Sequence, residues 1–140
     1  MARDFGYFSL SGDFNPDEIT RQLGIEPSWF QRIGDPGPPG ALGSRKGAVW
    51  CLACDDDDFG DVGDQIISLV VRLMDKSEIV SDLSTRFFGT FNLVAYLNGN
   101  YPGFFLMARI VRDLASLNVD VDCRFIYASD EPIQDGKNAD

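Results

Sequence analysis

The stretch Tyr7-Phe8-Ser9-Leu10-Ser11-Gly12-Asp13-Phe14-Asn15-Pro16-Asp17-Glu18-Ile19-Thr20-Arg21-Gln22-Leu23-Gly24-Ile25-Glu26-Pro27 decides how the rest of the chain is read. Phe8 and Leu10 alternate with Tyr7, Ser9 and Ser11, which is the period of a strand with one buried face. Gly12-Asp13 ends that strand. Asn15 then suits an N-cap, and Pro16 fits the first helical position, where its missing N–H costs nothing. Glu18 stands at capping-box spacing from Asn15, and Asp17 and Glu18 both lie where the helix dipole favours negative charge. Ile19 and Leu23 are four apart and share a face, and Gly24 supplies a left-handed stop. The local signals agree at each step.

Outward from this stretch the pattern continues at lower resolution. The first strand starts near Phe5. After Trp29 and Phe30, proline and glycine dominate Ile33–Gly47, which excludes a helix or an interior strand. A Pro/Gly loop over 31–47 is expected, read first as a mobile insertion and second as a functional loop carrying Arg32, Arg45 and Lys46. Ala48–Ala53 reads as a strand with Trp50 and Leu52 on one face and Val49, Cys51 and Ala53 on the other.

Asp61 to Met74 has the spacing of an amphipathic helix, with Ile66, Ile67, Val70, Val71 and Met74 on its apolar side. Ser77 is expected to cap a shorter helix that buries Ile79, Val80 and Leu83. Thr90–Leu97 alternates as a strand, and Asn98–Gly103 is a turn cluster. Met107 to Leu117 gives a helix with Ile110, Val111, Leu114 and Leu117 as its stripe and Asn118 as its stop. Val119–Tyr127 alternates as the last strand, and 129–140 reads as a flexible tail. The order predicts one α+β domain over 1–128: a ferredoxin-like variant whose β-α-β halves form a four- to five-stranded mixed or antiparallel sheet with helices on one face.

Composition narrows the chemistry. A chain of 140 residues with 44% hydrophobic content can build a core without a metal or disulfide staple. The longest apolar run, Ile66–Val71, falls far short of the ~20 residues that span a bilayer. Met1-Ala2-Arg3-Asp4 leads directly into a strand with no signal-peptide core, so a cytoplasmic protein without a membrane segment is expected. The net charge is −10, with only 12 Lys and Arg, which leaves no basic stripe for phosphate backbones. Direct nucleic-acid binding is therefore not expected, whereas a partner with a basic surface is. The chain contains no histidine, which removes Ser-His-Asp triads, Cys-His pairs and every His-containing metal site.

Three clusters remain. Cys51-Leu52-Ala53-Cys54 has CxxC spacing, but it starts inside a strand rather than at a helix N-terminus, so core or strand-end thiols are the better reading. Asp55, Asp56, Asp57 and Asp58, followed by Asp61 and Asp64, do not match a calcium loop, because the fifth and twelfth positions are Phe59 and Ile66. That run reads first as a solvated or helix-start feature and second as a lure for a basic partner. Trp50 reads as core, and Trp29, with Arg32 nearby, reads as a core cover or one wall of a ligand groove. No metal or cofactor is expected.

The pieces Phe8-Ser9-Leu10-Ser11-Gly12-Asp13, Asp17-Glu18-Ile19-Thr20, Leu23-Gly24-Ile25-Glu26-Pro27, Ile33-Gly34-Asp35 and Val49-Trp50-Cys51-Leu52 occur in a recognisable order. On them the chain resembles a bacterial family of small single-domain proteins described as a domain of unknown function, with Gly-Asp, Ile-Thr, Leu-Gly-Ile-x-Pro and Trp-x-Leu motifs. The resemblance implies no activity and carries no functional residue across. It raises one option, since some small acidic bacterial proteins act as immunity proteins beside secreted toxins. The leading expectation is a non-enzymatic binding protein, an immunity-type inhibitor docking its acidic surface around Asp55–Asp64 onto a toxin enzyme. The alternative is a small-molecule sensor or regulatory domain with a groove near Trp29, Arg32 and the 31–47 loop. Nothing in the sequence sets the oligomeric state.

Overall fold

The computed structural model describes residues 4–36, 46–54, 62–97, 103 and 105–127. Among these run β1 (Phe5–Gly12), α1 (Pro16–Leu23), β2 (Trp29–Gln31), β3 (Ala48–Ala53), α2 (Val62–Met74), α3 (Ser77–Arg86), β4 (Phe88–Leu97), α4 (Ala108–Ser116) and β5 (Asp120–Tyr127). The strands form one five-stranded mixed sheet in the order β2-β3-β1-β4-β5. β1 is antiparallel to both β3 and β4, β2 is antiparallel to β3, and β5 is parallel to β4. The α+β fold with a mixed sheet is as expected. The two β-α-β units differ: α1 joins β1 to β2, which flank β3 and run parallel to each other, whereas α4 joins the adjacent parallel strands β4 and β5.

Alternation fixes which side of the sheet is packed. Phe8 and Leu10 of β1 stand beside Leu52 and Trp50 of β3 and beside Phe91 of β4. All five are fully or almost fully buried, and they share one core with Ile19, Leu23, Ile66, Leu69, Val80, Leu83, Ile110 and Leu114 from the four helices. The helices therefore lie on one face of the sheet. Phe8 is the centre of an aromatic cluster, with ring centroids 6.3 Å from Trp50 and 5.4 Å from Phe91. The Trp50 indole N–H donates to Thr20 Oγ1 on α1 at 3.0 Å, so the buried indole does not lose its hydrogen bond.

The helix ends refine the sequence reading. Asn15 Oδ1 accepts from the Asp17 N–H at 3.0 Å, and Gly24 stops α1 with φ +68°. The reciprocal half of the capping box does not form, because the Glu18 carboxylate is taken by Arg21 and by Gln22. Ser77 lies inside α3 rather than capping it: the residue before the helix is Lys76, which makes no side-chain cap bond. A turn closed by Lys76 N–H on the Leu73 carbonyl joins α2 directly to α3. Asn118 is the expected stop of α4, with φ 58°, and its amide also donates to Ser81 Oγ on α3. Val71 and Val111, read as core, are exposed, and Leu69 and Leu73 fill the α2 stripe in their place.

Candidate functional site

β2 turns the chain toward α1. Pairing of Trp29 with Cys51 and of Phe30 with Trp50 puts Trp29 on the helix-free side of the sheet and Phe30 on the helix side. Gln31 is buried, and its amide donates to the Gly47 carbonyl at 2.9 Å, which clasps the two ends of the intervening segment. Gln31 thus belongs to a strand and not to the Pro/Gly loop. Arg32 to Asp35 make a β-turn: the Asp35 N–H donates to the Arg32 carbonyl, and Asp35 Oδ2 accepts from the Arg32 N–H at 2.7 Å. Residues 37–45, the rest of the expected loop, lie outside the described residues.

The Arg32 side chain folds back over the start of α1. It donates to Asn15 Oδ1 and to Asp17 Oδ1, each at 3.1 Å, and its guanidinium sits 5.0 Å from the Phe30 ring centroid. The hydrogen bond to Asp17 holds the guanidinium above its ordinary pKa. A groove of about 390 Å³ opens here, lined by Asp13, Phe14, Asn15, Pro16, Arg32 and Ile33. A second of about 200 Å³ lies along Pro16, Asp17, Thr20, Glu26, Pro27 and Phe30. Arg32 faces carboxylates on both sides, so this corner offers no uncompensated cation to an anionic ligand. The structure places Arg32 in the groove. Trp29, half exposed, lines neither of these two cavities.

Of the acidic positions, Asp55, Asp56, Asp57, Asp58 and Asp61 lie outside the described residues. Asp64 sits in the first turn of α2. The residue after it, Gln65, was not singled out by the sequence, yet it anchors this end of the molecule. Its buried amide accepts from the Gly6 N–H at 2.9 Å and donates to the Asp4 carbonyl at 3.2 Å. β3 pairs with β1 only as far as Tyr7, and Gln65 completes the bonding of the residue beyond. Asp4 in turn accepts from the Tyr96 N–H at 2.8 Å.

The three cysteines are free thiols. Cys51 lies on the helix-free side of β3, and burial pushes its thiol up to about 11. Burial also raises Cys123, with the Asp122 charge adding to it. Tyr7, on the same side of the sheet as Cys51, is raised by burial first and by Cys51 second. Each group is driven further into its neutral, unreactive form. No cluster of metal-ligating side chains occurs among the described residues. Among them, no helix is long and apolar enough to cross a membrane.

Fold and surface together define a small α+β protein whose mixed sheet is covered by helices on one side and whose polar corner is paired internally. The chain belongs to the family described as a domain of unknown function (DUF4279), whose model matches residues 5–127, from the start of β1 to the end of β5. No curated protein and no solved structure matches the chain.

Proposed function

We propose that the protein is a non-enzymatic, cytoplasmic binding protein: an immunity-type inhibitor that docks an acidic surface around Asp55–Asp64 onto the basic rim of a toxin enzyme. The observation that carries the reading is the charge of −10 in a chain with no histidine. The shifted thiols and phenol support it, since burial moves Cys51, Cys123 and Tyr7 away from ionisation at neutral pH. In sequence the acidic run follows β3 and precedes α2, whose Asp64 is followed by Gln65, the residue bonded to Gly6 and Asp4. A concentration of like charge favours fast, electrostatically steered association with a partner of opposite charge.

The test is capture of the partner from the source cell, followed by association rates measured against ionic strength. Association slows as salt rises, and it slows again when Asp55, Asp56, Asp57, Asp58, Asp61 and Asp64 are changed to Asn. A partner bound equally well at high salt by the six-fold Asn variant would overturn this mechanism.

The groove beside Arg32 favours a second reading, a small-molecule sensor. A metabolite library screened by thermal shift would reveal it as a rise in melting temperature that is lost in Arg32→Ala. Loss in Trp29→Ala as well would extend the binding site across β2.

A further inference from the structure

We infer that β5 is a self-association edge, pairing antiparallel with β5 of a second copy about Cys123 to make a continuous ten-stranded sheet. β5 is the outer strand of the sheet, eight residues long, and its far side pairs with no strand among the described residues. A strand of this length without proline presents a row of open backbone donors and acceptors, and such edges recruit another strand unless they are blocked.

The side chains show which strand fits. β5 reads Asp120-Val121-Asp122-Cys123-Arg124-Phe125-Ile126-Tyr127. Val121, Cys123, Phe125 and Tyr127 stand beside Phe91, Leu93, Ala95 and Leu97 of β4, and so on the helix side. The helices do not reach over them: Val121, Phe125 and Tyr127 are 45%, 52% and 60% exposed. Asp122, half-buried, and Arg124, exposed, stand on the opposite side 3.5 Å apart.

A two-fold axis through Cys123 sets Asp122 against Arg124 of the second copy, twice, and Val121 against Phe125, twice. These four central pairs are then opposite in charge or apolar, and the remaining pair, Asp120 against Ile126, sets no like charges together. The other registers that keep both sets of helices on one side set like charges opposite one another or, centred on Phe125, make no ion pair. Centring on Val121 faces Asp120 with Asp122, centring on Asp122 faces two Asp122 residues, and centring on Arg124 faces two Arg124 residues. Like charges directly opposite destabilise a pair. The Cys123 register also offers a second copy an uncharged apolar shelf, where two molecules of net charge −10 meet with the least repulsion.

The experiment combines sedimentation equilibrium with register-specific cross-linking. Wild type is expected to dimerise at high micromolar concentration. Arg124→Asp, at an exposed position that leaves the fold intact by circular dichroism, is expected to weaken the dimer about tenfold or more. Asp122→Arg combined with Arg124→Asp restores opposite charges across the axis and is expected to restore the dimer. Cα atoms directly opposite in an antiparallel pair are about 4.5–5.5 Å apart, within disulfide range, so diamide should link Cys123 to Cys123 and to no other cysteine. A chain monomeric at every concentration would overturn the inference. So would a dimer indifferent to Arg124→Asp, a charge swap that fails to restore association, or a dimer in which Cys123 does not cross-link.

Discussion

The two edges of the sheet are built in opposite ways. β2 is three residues long, flanked by Pro27 and by the Arg32–Asp35 turn, and tied down by Gln31 on Gly47 and by Arg32 on Asp17. β5 is eight residues long and mostly exposed on both faces, and the contacts that hold it come chiefly from β4. A short, clasped edge cannot accept another strand, whereas a long bare one can. One end of this sheet is closed by its own side chains, and the other is left for a partner.

Substitutions at the two edges should separate them. Trp50→Ala removes the fully buried side chain that stands between β2 and the Phe8 cluster, and should cost about 3–5 kcal/mol in urea unfolding. Gln31→Leu removes the clasp and leaves the Gly47 carbonyl without its donor, for a cost of about 1–3 kcal/mol. Faster proteolysis between β2 and β3 should accompany it. If Gln31→Leu were neutral in both assays, the closed edge would owe nothing to the clasp.

Phe125→Ala on β5, assayed at low protein concentration, should change stability by no more than about 0.5 kcal/mol, because the ring is half exposed in the single chain. A cost as large as that of Trp50→Ala would mean that β5 is packed within one molecule. The smallest effect concerns pH. Burial raises Cys51 from the ordinary 9.0 to about 11 in the folded chain. The unfolded chain therefore loses its proton first, and this group's contribution to stability is complete below pH 9 and declines as pH rises through 11. Alkylation at pH 9 should modify Cys51 last, and Cys51→Ser should flatten the alkaline decline in stability.

What the sequence made legible follows the range of the interactions. β1 and α1 could be read because Asn15, Pro16, Ile19, Leu23 and Gly24 act within one turn of one another. β2 could not be read, because three residues carry no period and its partner Ala48–Ala53 lies beyond a long proline-rich segment. The Gly6–Gln65 bond spans 59 positions and the Arg32–Asp17 pair spans 15, distances at which no local pattern operates. Val71 and Val111 border their helix stripes, where the 3.6-residue period leaves a neighbour on either side of the boundary. The clean alternation of β5 indicated a strand, but whether a helix covers either face depends on where α4 crosses. The groove was legible only as Arg32 near aromatic residues, since β-alternation, which separates Trp29 from it, requires knowing that β2 exists.

Amide hydrogen exchange at several protein concentrations tests the difference between the two edges most directly. The outward-pointing amides within Val121–Phe125 should become more protected as concentration rises, while Phe30 and Gln31 of β2 keep the same rates throughout. Exchange in β5 that is independent of concentration would contradict the account.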